Sequence, residues 1–322
     1  MRTSTRLTLA LVIFLLLGGL IGLGRWQRHE DTAPAAGGKS AATCRECHAD
    51  VWNEWAASYH SRAYADANVQ AAFQHFGFDR KCESCHAPQP VLVTGLSAPP
   101  ELRAEDRSSG VNCLTCHSTP DGQGVAAVRT IAGAPCRPVQ TPDLESSRLC
   151  GVCHTAIAKD WQESRYGREG KSCRDCHVPS LADGNSRRSH LFLGGHHEAT
   201  VRSGADLRCR QQGKELVVWV TNHATGHNFP GERHNRLLLV QVIQRNPAGQ
   251  ITLARQALIK GITPFRGETS DEKIRAGETF EARFPVVEPG TADVRLLYKL
   301  FPFVSDRDAQ VVHRQELKLE KP

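Results

Sequence analysis

Hydrophobic and polar residues follow three different patterns along the chain. An unbroken apolar run covers residues 7–23, the middle of the chain has few long apolar runs, and apolar residues alternate with polar ones from about residue 199. Alternation with a period of two is typical of strands with one buried face. The pattern therefore predicts an N-terminal hydrophobic segment, a loop-rich middle region and a C-terminal β domain.

The C-terminal region contains short segments that are typical of strands and are separated by turns rich in Pro and Gly. We expect strands at residues 215–222, 237–245, 251–258, 278–287 and 294–300, and a last strand that contains His313. Several short strands at this spacing indicate an antiparallel β-sandwich of immunoglobulin-like type over residues 199–322.

The N-terminal segment is a candidate membrane anchor. Its 17 apolar residues lie between Arg2 and Arg6 on one side and Arg25 and Arg28 on the other. This length is the lower limit for a membrane-spanning helix and slightly long for the core of a signal peptide. We therefore predict an uncleaved anchor or signal at residues 1–29 and a flexible linker at residues 30–43, with secretion after signal cleavage as the alternative.

The middle region carries one pentapeptide pattern, Cys-x-x-Cys-His, five times. This pattern is the attachment site of c-type haem, in which two thiols bond to one porphyrin and the adjacent histidine becomes an axial iron ligand. Zinc ribbons also use Cys-x-x-Cys pairs, but zinc gives no reason for a histidine after every second cysteine. We predict five haem c groups, bound to Cys44, Cys47, Cys82, Cys85, Cys113, Cys116, Cys150, Cys153, Cys173 and Cys176, with the proximal iron ligands His48, His86, His117, His154 and His177.

The second axial ligand of each iron must come from outside these motifs. Met1 is the only methionine and precedes the hydrophobic segment, so histidine is the remaining candidate. We predict that His227, in a loop between two strands, reaches a haem of the N-terminal domain. The full set of predicted distal ligands is His60, His190, His196 and His227, with His75 fifth, whereas His197, His223 and His234 are expected to be structural or exposed.

The same residue types recur at equal distances from two motif histidines. Seven, ten and twelve residues after His48 stand Trp55, Ser58 and His60, and after His154 stand Trp161, Ser164 and Tyr166. These offsets predict a duplicated haem-binding unit. We expect Asp50 to cap a helix over residues 51–68 that presents His60. Tyr166 in the second copy could be a packing residue, a hydrogen-bond donor beside an iron, or a ligand.

Composition and charge narrow the interpretation further. Five haems would add about ten propionates, which would offset most of the net charge of +6, so the charge gives no support to nucleic-acid binding. Ten of the 12 cysteines belong to the motifs, and the other two, Cys136 and Cys209, could form a disulfide or remain free thiols. Because the middle region has few apolar side chains, we expect the porphyrins to form its core and the haem-free chain to be largely unfolded there.

These residues resemble the multihaem c-type cytochromes related to the tetrahaem electron carrier of ammonia oxidisers and, more distantly, the hydroxylamine oxidoreductase and tetrathionate reductase group. The similar signatures are WxxSxH at residues 55–60, CHAP at 85–88, GVNCLTCH at 110–117, SHLFLGGHH at 189–197 and GHxxPG at 226–231. The resemblance implies bis-histidine haems packed in short-range chains that pass electrons.

The predicted fold is α+β, with a mainly helical, loop-rich pentahaem domain at residues 44–198 followed by the immunoglobulin-like sandwich. The expected function is electron transfer by a periplasmic cytochrome anchored in the inner membrane. Its expected partners are a quinol-linked membrane donor and soluble or extracellular cytochromes. The alternative is a haem oxidoreductase acting on a small nitrogen or sulfur oxyanion at a five-coordinate haem, with Tyr166 as its one candidate catalytic residue.

Overall fold

The computed structural model describes residues 40–75, 77–181, 187–231, 236–262 and 267–322. The predicted anchor and nearly all of the predicted linker lie outside the described residues. No helix within the described ranges is long and apolar enough to cross a lipid bilayer.

Short helices joined by loops make up the N-terminal part of the described chain. The α-helices are α1 (Ala49–Ala57), α2 (Ala67–His75), α3 (Arg80–His86), α4 (Val91–Thr94), α5 (Cys113–His117), α6 (Ser147–Gly151), α7 (Thr155–Glu163), α8 (Arg165–Arg168), α9 (Cys173–His177) and α10 (Glu198–Gly204). Further 3-10 helices cover Ala41–Glu46, Arg107–Ser109 and Pro142–Glu145. A two-stranded parallel pair, β1 (Ala126–Ala127) and β2 (Val139–Gln140), lies between α5 and α6.

The prediction of one helix over residues 51–68 is wrong. Helix α1 ends at Ala57, because Ser58 adopts an extended backbone and its hydroxyl donates a hydrogen bond to the Trp55 carbonyl at 2.7 Å. The residue that precedes the helix is His48, and Asp50 lies within the first turn. His60 therefore lies in a turn after the helix and not on a helical face.

In the described part of the chain, eight strands follow helix α10 and form two antiparallel sheets. They are β3 (Asp206–Gln212), β4 (Glu215–Thr221), β5 (Leu237–Arg245), β6 (Ile251–Ile262), β7 (Thr269–Asp271), β8 (Thr279–Pro285), β9 (Gly290–Lys299) and β10 (Gln310–Leu319). One sheet has the order β10-β9-β5-β6-β7 and the other the order β3-β4-β8. The sequence pattern did not predict β3 and β7, which have few apolar residues.

The two sheets share one hydrophobic core. Leu216 and Val218 of the three-stranded sheet belong to the same buried cluster as Val240 and Leu296 of the five-stranded sheet. Alternate residues of β4, β5, β8 and β9 face this cluster, as the period-two pattern predicts. The α+β class is confirmed, and the immunoglobulin-like type of the sandwich stays a prediction.

The two cysteines outside the motifs do not form a disulfide. Cys136 and Cys209 are both free, and Cys136 is exposed. The Cys209 thiol on β3 donates instead to the Gln315 side-chain carbonyl on β10 at 3.1 Å.

Candidate metal centres

Each Cys-x-x-Cys-His motif lies on a short helical turn. Helices α3, α5 and α9 end at the motif histidine, and two of them begin with a reciprocal capping box, Asn112 with Thr115 and Ser172 with Asp175. In a capping box, two side chains satisfy backbone N–H groups that the first helical turn leaves free. The polar residue before these motifs therefore fixes the turn that brings two thiols to one side of a helix.

Three motif histidines are oriented by a backbone carbonyl. The Nδ1 atom of His86 lies 2.6 Å from the Ala63 oxygen, that of His117 lies 2.9 Å from the Ala126 oxygen, and that of His177 lies 2.5 Å from the Leu193 oxygen. A carbonyl can only accept, so Nδ1 carries the proton and donates. Nε2 is then the deprotonated atom, which is the form in which imidazole binds a metal.

Three motif histidines face a histidine from elsewhere in the chain. The ring centres are 6.3 Å apart in each pair: His60 with His154, His117 with His190, and His177 with His227. The angles between the ring planes are 46°, 29° and 16°, respectively. The structure thus brings together three of the predicted distal ligands, His60, His190 and His227, with three different motifs.

The spacing of these pairs fits a metal ion held between the two rings. An imidazole nitrogen lies about 2 Å from a bound first-row metal and roughly 1 Å from its own ring centre, so two imidazoles on opposite sides place their centres about 6 Å apart. Direct ring packing would give a shorter separation, as in the 3.6 Å stack of Tyr59 on His196. The three pairs therefore fit the two axial positions of a haem iron.

The distal histidines lie in surroundings that favour the neutral ring. Burial, together with the neighbouring His154 and His177, lowers the pKa of His60 to about 3. Burial also lowers the pKa of His190 and of His227. A neutral imidazole has the free electron pair that an iron ligand needs.

A glycine contact fixes the position of His60. Gly110 has a φ of +60°, and a Cβ at this position would lie 2.3 Å from the His60 carbonyl oxygen. The same oxygen accepts a hydrogen bond from the Val111 N–H at 2.9 Å. The turn that carries His60 is thus packed directly against the segment that leads into the third motif.

His227 is held by the loop between β4 and β5. Asn222, which is fully buried, donates from Nδ2 to the His227 and Ile274 carbonyls at 2.9 Å each. Its Oδ1 accepts from the Thr225 hydroxyl at 2.6 Å. This buried network fixes the loop on the sandwich while the His227 ring faces His177 of helix α9.

The remaining candidate histidines occupy other positions. The His196 ring stacks on Tyr59 at 3.6 Å, and its Nε2 accepts a hydrogen bond from Arg236 at 2.9 Å. His197 caps helix α10, and His223 lies 3.6 Å from Asp206, so neither lies at a motif. The side chain of His75 and all of His234 lie outside the described part of the chain.

Within the described residues, no imidazole faces His48 or His86 in the way seen at the other three motifs. The ring beside His86 is Phe73, which meets it edge-on with 5.1 Å between ring centres. No group of three or more His, Cys, Asp or Glu in the described ranges is arranged to hold a metal ion directly.

Thiols of different motifs lie close to one another. Cys44 is near enough to Cys113 for the two side chains to interact, as Cys85 is to Cys153 and Cys150 to Cys173. Cys116 is also near enough to Cys150 and Cys153 to interact with them electrostatically. All five motifs therefore belong to one connected group, in which the fourth motif lies next to the second, third and fifth.

The structure contains the repeat that the offsets predict. Helices α1 and α7 each follow a motif histidine and have nine residues. Ser58 and Ser164 end them in the same way, with the hydroxyl donating to the Trp carbonyl three residues earlier at 2.7 Å. In the second unit, the Tyr166 hydroxyl accepts a hydrogen bond from Arg165 at 3.2 Å, and its ring packs near Gly226.

The comparisons with known proteins agree with this arrangement. Residues 43–118, which contain the first three motifs, match the family described as Cytochrome c554 and c-prime. The fold is similar to that of a penta-heme cytochrome c552 from Thermochromatium tepidum, with a TM-score of 0.64 and 17% identity over 87% of this chain and 99% of that chain. At this identity the likeness shows a shared fold.

Other matches are weaker. A superoxide reductase from Nanoarchaeum equitans is 8% identical over 36% of this chain and 91% of its own. Its TM-score of 0.22 is too low to indicate a shared fold. No protein of curated function matches the chain in sequence. The relation to the hydroxylamine oxidoreductase group stays a prediction. The five attachment motifs, the family match and the shared fold support a multihaem c-type cytochrome that carries covalently bound haem and exchanges electrons with other redox proteins.

Proposed function

We propose that the protein is a pentahaem electron carrier whose haems are bound by histidine on both faces. The observation that carries this proposal is the set of three motif histidines that each face a second histidine at 6.3 Å. Haem c supplies reversible one-electron chemistry when bound. The chain holds it with ten motif cysteines and five motif histidines, and contributes the opposite axial ligands from distant segments.

We propose three distal ligands on the support of these ring separations. His60 is opposite His154, His190 opposite His117, and His227 opposite His177. Each distal histidine comes from a segment far from the motif it faces, so the ligand pairs tie the loop-rich region together. His227 has a further role, because its loop belongs to the sandwich and joins that domain to helix α9.

The irons of the first two motifs remain without an assigned distal ligand. The candidates left for them are the other two predicted distal ligands, His75 and His196. His196 would have to give up its contact with Arg236 before its Nε2 could bind an iron. We therefore rank His75 ahead of His196 for either site.

The thiol contacts suggest an order for electron transfer. Tunnelling slows steeply with distance, so neighbouring motifs define the fastest steps. The contacts support a chain from the first motif through the third and fourth to the fifth, with the second motif as a branch at the fourth. This arrangement gives the protein more than one terminal haem at which partners could exchange electrons.

The cellular setting is inferred from the sequence. Bacterial c-type cytochromes are matured outside the cytoplasmic membrane, and residues 7–23 form an apolar run of membrane-spanning length. We place the body in the periplasm and the anchor in the inner membrane. A quinol-linked membrane protein would then supply electrons, and a soluble or extracellular cytochrome would accept them.

Two measurements on the purified protein test the proposal. The intact mass should exceed that of the polypeptide by five haem masses. His60→Ala, His190→Ala and His227→Ala should each convert one low-spin haem to high-spin while all five remain covalently bound. His197→Ala and His223→Ala are matched controls that should leave the spectrum unchanged.

Other outcomes would reject parts of this account. Any haem count other than five contradicts the stoichiometry. An unchanged low-spin spectrum in a distal variant rejects that ligand pair. A full high-spin haem in the unmodified protein, combined with turnover of nitrite or hydroxylamine, would favour the oxidoreductase alternative.

A further inference from the structure

The two copies of the repeat share an acidic residue that the sequence offsets did not include. Glu54 in the first copy and Asp160 in the second each lie six residues after the motif histidine. Each is followed directly by the tryptophan of the repeat, Trp55 or Trp161. Both lie on the nine-residue helix of their unit, α1 or α7. Equivalent positions in two copies of one unit invite a comparison of what each acid contacts.

Glu54 binds the segment that carries His190. One carboxylate oxygen accepts the His190 backbone N–H at 2.7 Å, and the other accepts from Arg187 at 2.9 Å. The Glu54 side chain is 19% exposed, so these bonds are partly shielded from water. A carboxylate of the first unit therefore positions the residue that faces His117 of the third motif.

Asp160 lies on the helix that packs against the His227 loop. Helix α7 and the turn after it lie against the His227 loop, since a Cβ added to Gly226 would lie 3.6 Å from Trp161 Cδ1 and 3.5 Å from Tyr166 Cβ. The Asp160 Oδ2 atom is buried without a hydrogen-bond partner. This oxygen without a partner therefore belongs to the helix that contacts the His227 loop.

We infer that the acid at this position acts on a distal histidine carried by another segment: Glu54 positions His190 and adds a nearby charge, and Asp160 supplies a nearby charge to His227. The inference rests on the proposed bis-histidine ligation. Each repeat would then bind its own haem and also set the opposite ligand of a second haem, the one at the third motif or the one at the fifth.

The two acids should differ in how far they lower the reduction potential of the nearby haem. A negative charge beside an axial imidazole stabilises ferric over ferrous iron and so lowers the reduction potential. Glu54 is paired with Arg187, which offsets part of its charge. Asp160 forms no ion pair with any of the described residues and is partly buried, where a charge is weakly screened. Asp160 should therefore have the larger effect.

The test is a redox titration of the full-length haem protein, followed by electron paramagnetic resonance so that individual haems are resolved. Asp160→Asn should raise the potential of one haem, with a change of roughly tenfold in its Fe(II)/Fe(III) ratio, or about 59 mV for a one-electron couple. Glu54→Gln should raise the potential of a different haem by a smaller amount. It should also alter the shape of that haem's low-spin signal, because the His190 segment loses its charged acceptor.

Matched controls lie on the same two helices. Asp50→Asn on α1 and Glu163→Gln on α7 each remove an exposed carboxylate. Neither should shift the reduction potential of an individual haem by a comparable amount. Asp160→Glu keeps the charge and should retain most of the original potential. If Asp160→Asn yields no folded holoprotein, Asp160→Ala removes the same charge with a smaller side chain and is titrated instead.

The outcomes separate this inference from the proposed function. If the neutral variants shift potentials no more than the controls, or if Asp160→Glu shifts as much as Asp160→Asn, the acids have no such role. In that case unchanged bis-histidine signals would leave the proposed function standing. Absence of those signals from the unmodified protein would instead overturn the proposed function itself.

Discussion

The sandwich and the helical region differ sharply in how much apolar side chain they bury. The sandwich and the helix before it share a cluster of 21 buried residues, whereas the one cluster found in the described helical region consists of Leu92, Ala126 and Leu144. Hydrophobic burial is the main favourable term in folding. The sandwich can therefore fold on its own side chains, but the helical region needs the apolar surface of its porphyrins.

The two regions also use histidine differently. In the helical region, His60 and His190 are partly buried and lie next to motif histidines from other segments. In the sandwich, His227 lies at the edge, on a loop fixed by the buried Asn222. Under the proposed ligand assignment, the sandwich would contribute a preformed ligand, whereas the helical ligands would depend on assembly around haem.

The largest expected effect is the loss of one haem from the helical region. Cys82→Ser combined with Cys85→Ser removes both attachment points of the second motif. The intact mass should fall by one haem. Hydrogen exchange should show lost protection around helix α3 and the Ala63 turn, because the second haem and its ligand His86 hold both segments in place.

The control for this variant is Cys136→Ser, which changes an exposed thiol outside the motifs. Protection in the sandwich strands should be the same in both variants. Equal loss of protection in the sandwich would show that the two regions do not differ as we describe.

The next effect concerns the sandwich core. Leu296 on β9 is fully buried, so Leu296→Ala should lower the free energy of unfolding by about 2–5 kcal/mol. Chemical denaturation followed by circular dichroism measures this change. Ile251→Ala, at a residue that is 56% exposed, should change stability by only about 0.5 kcal/mol. A reduced haem count in folded Leu296→Ala would contradict the separation of the two cores.

A smaller effect is expected where the chain itself positions a ligand. Gly110→Ala places a Cβ against the His60 carbonyl and should cost about 1–2 kcal/mol for the left-handed backbone, with a further cost for the clash. Displacement of His60 should appear as a high-spin fraction in the visible spectrum.

Gly133→Ala is the matched control for this change. Gly133 also has a positive φ, of +78°, but nothing lies within 4 Å of an added Cβ. It should lose stability without any change in spin state. The same spin change in both variants would rule out the specific contact with His60.

The smallest effect is expected at Tyr166. Its hydroxyl contacts the exposed Arg165, and its ring packs against the Gly226 loop. Tyr166→Phe should therefore leave the haem spectrum unchanged and alter stability by about 0.5 kcal/mol or less. A change in the spin state of a haem would identify the hydroxyl as an iron ligand or as a partner of one.

Local sequence signals predicted one part of this molecule well and another part poorly. The motifs and the alternating strands depend on neighbours within a few residues, so β5 was predicted at its observed bounds. The distal ligands depend on contacts between distant segments. His60 could be found through its offset in the repeat, but nothing in the sequence around His196 shows that Arg236 binds its Nε2.

Other features could not be predicted from the sequence. The carbonyls of Ala63, Ala126 and Leu193 orient motif histidines, but any residue type supplies a backbone carbonyl. The apolar pattern predicted that helix α1 continues past Ser58. The helix ends there because the Ser58 hydroxyl donates to the Trp55 carbonyl. Glu54 and Asp160 had a sequence signal in their shared offset, and its meaning became clear only from their contacts.

Mössbauer spectroscopy of the oxidised protein, enriched in the active isotope of iron, tests the central claim most directly. It counts low-spin and high-spin irons even where neighbouring haems couple magnetically. Because three motif histidines face a second histidine, at least three of five irons should be low-spin ferric. Fewer than three low-spin irons in protein of verified haem content would contradict the assignment of these pairs as axial ligands.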